Sequence, residues 1–311
     1  MRHLVKLALV AGAALAPLSA ASAETLVGLV DSSTIVTFDS AAPGVITSRS
    51  TLTGVAPGDR LVGLDLRPSN NQLYSVGTSG TVYLITQTAP GVFTATSNGT
   101  LSTAPSGNSF GLDFNPTGPV ALREVSDTNQ NLRISVGPPA TVVIDTPVTL
   151  NGSSTVDLVA AAYSNNVFGA TSTTLFALDA VTDSLVRAVT LPGSPTGSGA
   201  NDGTYTNVNA AGTTFLPLGA GITFTTQDRV SFDISGSTGQ GFFTINDNLF
   251  SINLTTGAAS LIGALGQTGI IGITAAAPVP EPATWAMMLL GFGAVGWSLR
   301  RKPKVRVAFA A

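Results

Sequence analysis

The 311-residue sequence has no cysteine and a single histidine, His3, and between Glu24 and Ala277 it has no lysine. Those absences exclude a great deal. Without cysteine no disulfide staples the chain, although an oxidising compartment is permitted. Ser-His-Asp and Cys-His nucleophiles, Schiff-base lysines and the usual zinc sites all need side chains that this stretch lacks. Charge is also scarce, at 10% of residues. From Glu24 to Ala277 there are 16 acidic residues against seven arginines (Arg49, Arg60, Arg67, Arg123, Arg133, Arg187 and Arg229). An acidic stretch with no basic stripe is a poor match for phosphate neutralisation, so nucleic acid is not an expected partner.

What is present is apolar and rich in turn formers: 44% hydrophobic residues, 34 Gly and 18 Pro. Short apolar runs such as Ile35–Phe38, Val82–Ile85, Leu175–Leu178 and Leu249–Ile252 are each bounded by turn residues, the pattern of strands. No convincing helical periodicity precedes Pro280. The expected class is all-β. Two kinds of internal similarity suggest a repeat. LFALDAVTDSLVRAVTLPG from Leu175 aligns with LFSINLTTGAASLIGALG from Leu249, and VGLDLRP from Val62 recurs as FGLDFNP from Phe110. Repeats of about 40–50 residues, each worth several strands, point to a β-propeller. At about 42 residues per blade, residues 24–277 would hold about six blades. A β-sandwich pair or a β-helix is the alternative.

The two ends carry the remaining basic residues. Arg2 and Lys6 precede the apolar run Leu7–Ala16, and Ala21-Ser22-Ala23 supplies small residues at signal-peptidase spacing. Residues 1–23 are therefore expected to be a secretory signal, cut after Ala23. At the other end, residues 278–311 combine Val279-Pro280-Glu281-Pro282, an uncharged run at 283–299, and Arg300-Arg301-Lys302. Seventeen residues at about 1.5 Å each give a helix of about 25 Å, the short limit for a bilayer core. Trp285 and Trp297 suit the two headgroup regions, and the basic stop suits the cytoplasm, which would leave residues 24–282 outside the inner membrane. Gly291, Gly293 and Gly296 spell G-x-G-x-x-G, but inside an apolar span they read as helix packing and not as a nucleotide turn.

Pro280-Glu281-Pro282, the helix TWAMMLLGFGAVG and an immediate Arg-Arg resemble the PEP-CTERM sorting signal of Gram-negative bacteria. The resemblance implies processing by an exosortase-type membrane protease, with Pro280, Glu281 and Pro282 as recognition residues. It also implies release to the outer surface or medium of a bacterium that makes exopolysaccharide. The middle resembles an uncharacterised family of bacterial exported, propeller-like domains, through LVGLDLRPSNNQLYSVG, GLDFNP, SDTNQNLRISV, AAAYSNN and TTLFALD in that order. That family has no assigned activity.

Carboxylates are the remaining candidates for chemistry. Asp65, Asp113 and Glu124 could serve a polysaccharide-active enzyme if two lie about 5–9.5 Å apart. The bland reading has Asp65 and Asp113 capping turns or joining blades through Arg67 or Arg133. Asp127, Asn129 and Asn131 have the 1-3-5 spacing of calcium ligands, but Leu132 and Pro138 replace the Gly and Glu of an EF-hand, which favours an Asx-rich hairpin turn. The expectation is a non-enzymatic binding or structural module without a cofactor, meeting exopolysaccharide or matrix components after signal peptidase and exosortase have acted. A carboxylate-only enzyme and a calcium-stabilised scaffold are the competing readings.

Overall fold

The computed structural model describes residues 23–276, apart from 119, 197, 209–216 and 220, together with residue 292. Twenty-one strands and no helix occupy residues 23–276 as described. The first blade holds β1 (Thr25–Val30), β2 (Thr34–Asp39) and β3 (Ala42–Thr53). The second holds β4 (Asp65–Arg67), β5 (Gln72–Val76), β6 (Thr81–Ala89) and β7 (Val92–Thr100). β8 (Phe110–Phe114), β9 (Leu122–Ser126), β10 (Asn131–Ser135) and β11 (Thr141–Ile144) make the third. A short strand, β12 (Thr149–Leu150), then precedes β13 (Leu158–Tyr163), β14 (Leu175–Asp179), β15 (Ser184–Ala188) and β16 (Thr204–Asn207) of the fourth. The fifth is β17 (Val230–Ile234), β18 (Gly241–Ile245), β19 (Asn248–Ile252) and β20 (Ala259–Ala264), after which β21 (Ile270–Ala275) returns to pair with β1.

Each blade is built on a four-stranded antiparallel meander; β21 completes the first as its innermost strand, and β12 adds a parallel fifth strand outside β16 in the fourth. The last strand therefore closes the ring onto the first blade and covers the edge of β1. At the rim, β3 and β7 pair in parallel over Thr51–Thr53 and join the first two blades into one sheet. Five apolar clusters fill five seams, one between each pair of neighbours. Adjacent residues on one strand serve opposite seams: Ile35 packs against the second blade with Leu61 and Tyr83, whereas Val36 and Phe38 pack against the fifth with Phe242 and Leu249. Period-two alternation on a sheet covered on both faces explains why these strands read as continuous apolar runs.

The propeller-like class is as expected, but about six blades is not: the described residues form five. A generic length of about 42 residues per blade was too short here, because blades two to four repeat at nearly the spacing of VGLDLRP and FGLDFNP. The LFALD and LFSIN segments are also out of phase. Both lead into a hairpin, but β14 is the second strand of its blade and β19 the third.

The inner strands β4, β8, β13, β17 and β21 stand around the axis so closely that glycine is required at one level. A Cβ on Gly111 would lie 2.4 Å from the Ala161 backbone nitrogen, and one on Gly272 would lie 2.7 Å from that of Leu64. Gly111→Ala is therefore expected to destabilise the ring by about 1–3 kcal/mol through overpacking. Gly137→Ala, where a Cβ meets open space, is expected to change stability by less than about 0.5 kcal/mol. Parallel urea titrations of the two variants check both.

Candidate functional site

One level along the same strands, three aspartates converge on the axis. Asp65 on β4, Asp113 on β8 and Asp233 on β17 are each buried, and each offers a carboxylate oxygen within 4.8 Å of the others. The geometry repeats from blade to blade. The Phe114 amide donates to Asp65 at 2.7 Å, the Tyr163 amide donates to Asp113, and the Ala275 amide donates to Asp233. Each carboxylate thus reaches across a seam to the next inner strand at the equivalent position. At that position the remaining two strands carry Ala162 and Thr274; the Thr274 hydroxyl donates to Asp65 at 3.0 Å. Burial, then the other aspartates, pushes the Asp65 and Asp113 carboxyls well above the usual range.

The blade-joining reading of Asp65 and Asp113 fits this geometry, but its expected partners are corrected. Arg67 and Arg133 bond to neither; the two carboxylates take backbone amides of the next inner strand instead. Arg133 pairs with Asp145 at 3.0 Å. Asp145 also receives Arg123, at 2.7 Å, and Arg123 is the buried cation that sequence reasoning missed. Its guanidinium further donates to Asn131 at 2.7 Å, to Asn201 at 2.5 Å and to the Tyr163 hydroxyl at 3.4 Å. Asn201 belongs to the Gly-rich segment at 193–203, which folds back onto the third blade.

The calcium-like triplet is dispersed. Asp127 accepts the Asn108 amide at 2.9 Å, Asn129 sits at φ 63° in the hairpin turn and donates to the Ser154 carbonyl, and Asn131 faces Arg123. Its residues therefore act as an Asx-rich turn. Glu124 is fully buried on the seam with the second blade, with no hydrogen-bond partner for either oxygen, and burial pushes its carboxyl up to about 8. Of the signal residues, Ala23 is the first described and Ala21 lies outside the described residues. Pro280, Glu281, Pro282, Arg300, Arg301 and Lys302 also lie outside them, as does the expected helix 283–299 except Phe292.

Above the aspartates, where the inner strands begin, a cleft of about 430 Å³ opens at the mouth of the ring. Arg60, Asn108, Ser109, Gln227 and Arg229 line it together with Asp31 and Asp228. The ion pairs among the described residues both belong to Asp145, so neither Arg60 nor Arg229 is in an ion pair, although two carboxyls share the cleft with them. Asp228 is differently placed. Hydrogen bonds from Asn246 and Thr225 hold its carboxyl below the usual range, so it stays ionised. Between mouth and aspartates the channel narrows to a gap of about 10 Å³ beside Gly63, Gly111 and Gly272. β21 runs from Ile271 at the mouth to Ala275 and Ala276 at the opposite face, so the chain leaves the ring on the side away from the cleft. That side carries exposed Val167 and Phe168.

Residues 34–274 match a family described as "Domain of unknown function (DUF4394)", and residues 278–302 match the "PEP-CTERM protein-sorting motif". No curated protein matches the chain. Among solved structures it is similar to a structural-genomics protein of unknown function from Bacteroides thetaiotaomicron, at 16% identity and TM-score 0.45, over 81% of this chain and 60% of that one. It is also similar to Raptor from Chaetomium thermophilum (12% identity, TM-score 0.40, 79% of this chain and 20% of that one). A third is the Dos1 propeller (11% identity, TM-score 0.38, 73% and 53%). The chain spans less than two thirds of the length of each.

Proposed function

The chain belongs to the DUF4394 family and carries a PEP-CTERM sorting motif, the mark of an exported protein processed by an exosortase; on that premise we propose that it is a non-enzymatic binding module for acidic extracellular polysaccharide. In this proposal signal peptidase removes residues 1–23, and helix 283–299 holds the protein in the inner membrane, facing the periplasm. Exosortase then acts near Pro280–Pro282 and the protein passes to the outer surface or the medium. The observation that carries the binding reading is the mouth cleft, where the guanidinium groups of Arg60 and Arg229 are in no ion pair, beside Asp31 and Asp228. Arginine forks suit sugar carboxylates or sulfates, and Asn108, Ser109 and Gln227 suit sugar hydroxyls. The cleft faces away from the point where the chain leaves for its sorting tail, so tethering would not cover it.

The competing reading, a carboxylate-only glycosidase, needs a protonated acid beside the substrate. Among the described residues, the carboxyls with raised pKa are Asp65, Asp113, Asp233, Glu124 and Asp157. The three axial ones lie below a gap too small for a sugar ring, Glu124 is sealed in a seam, and none of the five lines the cleft. Asp228 does line it but is held ionised. The test is equilibrium binding of the processed protein to its host's purified extracellular polysaccharide. The expected result is salt-sensitive binding, weakened at least about tenfold in an Arg60→Gln/Arg229→Gln variant, since charge-assisted bonds contribute about 1.5–3 kcal/mol each. Unchanged binding in the variant, or new reducing ends in the polysaccharide, would overturn it.

A further inference from the structure

The axial aspartates pose a chemical problem that blade-joining alone does not resolve. Their oxygens are held by donors that favour the ionised form: Asp65 by the Leu66 and Phe114 amides and the Thr274 hydroxyl, Asp233 by the Ile234 and Ala275 amides, Asp113 by the Tyr163 amide. Three carboxylates so arranged repel one another in a site without water access. A second feature is independent of their number. One oxygen of Asp113, Oδ1, is fully buried with no donor at all. The Asp113 side chain lies at hydrogen-bond range of Asp233, and the three carboxylates each place an oxygen within 4.8 Å of the others, so the buried Asp113 carboxylate is aimed into the cluster. A buried acceptor aimed at two other carboxylates calls for something positive between them.

We propose that Asp65, Asp113 and Asp233 bind a hard divalent cation of the calcium class, which ties three of the five blades together on the axis. The donor set is all oxygen, which selects hard cations over zinc or copper. Calcium–oxygen distances of about 2.3–2.6 Å give a coordination sphere about 5 Å across, and the three ligand atoms, all within 4.8 Å of one another, fit inside it. The site is distinct from the Asp127-Asn129-Asn131 turn and does not depend on what the mouth binds. Its ligands come from residues 48 and 120 positions apart along the chain, so the cation would lock the ring only after the blades have assembled.

The test is thermal unfolding of the processed protein at pH 7 after exhaustive chelation, with and without added calcium chloride, together with calcium stoichiometry by equilibrium dialysis. The expected result is one tightly held calcium and a rise in Tm of about 5–10 °C, the shift for ligand at about 100 Kd in a domain of this size. Asp113→Asn is expected to abolish both and still fold, since its amide can donate to Asp233 where the cation is lost. Asp127→Asn is expected to keep both. A Tm indifferent to calcium, or a shift that survives Asp113→Asn and vanishes in Asp127→Asn, would overturn the proposal. Failure of Asp113→Asn to fold would leave the wild-type stoichiometry to decide it, with zero bound calcium as the contrary outcome.

Discussion

Arg123→Met is expected to lower the stability of the folded ring by about 3–5 kcal/mol, the usual cost of breaking a buried ion pair from one side. Arg123 is 2% exposed and sits on β9, at the seam between the third and fourth blades. Its guanidinium is the centre of a polar knot that includes Asp145, Asn131, Asn201 and Tyr163. Methionine fills much of the volume, so the loss comes from acceptors left without a donor and not from a cavity. Asp145 keeps only Arg133, whose side chain is 40% exposed and cannot replace a buried partner. Arg123→Lys is expected to lose most of the same stability, because an ammonium cannot serve four separated acceptors as the planar fork does. Chemical denaturation of the two variants checks this. A loss below about 1 kcal/mol would show that the knot is not what secures the seam.

The neighbouring residue gives the opposite sign. Glu124→Leu is expected to stabilise the protein at pH 7 by about 3 kcal/mol. The Glu124 side chain shares its face of the sheet with Leu112 and Leu132, its cross-strand partners, and neither carboxylate oxygen has a donor. Burial raises its carboxyl from an ordinary value near 4.5 to about 8. The sign follows from proton counting. Between those two values the unfolded chain has released the proton and the folded chain retains it, so stability falls as pH rises through that window. At pH 7 the difference of about 2.5 units corresponds to about 3 kcal/mol. Above about pH 8 both states are ionised and the slope from this group ends. Glu124→Leu removes the slope while burying an apolar side chain among leucines. Denaturation at pH 5, 7 and 9 should show a wild-type deficit that is small at pH 5, within about 1 kcal/mol, and grows to pH 8. Taking the difference between the two proteins cancels the contribution of the axial aspartates. A variant that tracks wild type at all three pH values would contradict the unpaired, buried placement of this carboxyl.

The strands were legible because each is short, apolar and bounded by turn residues; Ile35–Phe38, Val82–Ile85, Leu175–Leu178 and Leu249–Ile252 all lie in strands. The blade count was misread although the better ruler was in view: Asp65 and Asp113 are 48 residues apart, and that spacing accommodates five blades where 42 accommodates six. Hairpins were a poor ruler, because LFALD and LFSIN look alike wherever in a blade they fall. Two of the three axial aspartates were legible from their shared Gly-Leu-Asp. Asp233 was not, since Ser231-Phe232 replaces Gly-Leu and the long connection between β15 and β17 hides the period. A partial signal was there to find: an apolar residue on each side of a lone Asp, as in Leu64-Asp65-Leu66, Leu112-Asp113-Phe114 and Phe232-Asp233-Ile234, although Val156-Asp157-Leu158 shares it away from the axis. Arg123 could not be found this way. Its partners lie 8 to 78 residues away, and only ring closure brings them together. The mouth is likewise a product of closure, since Arg60 and Arg229 belong to different blades.

The measurement that bears most directly on the account is the intact mass of whatever form of this protein is carried in the washed extracellular polysaccharide of its native host. The account predicts one species there, beginning at Glu24 and ending near Pro280, released into the medium only by high salt. A species running through Ala311, confined to the inner-membrane fraction and absent from the polysaccharide, would contradict it.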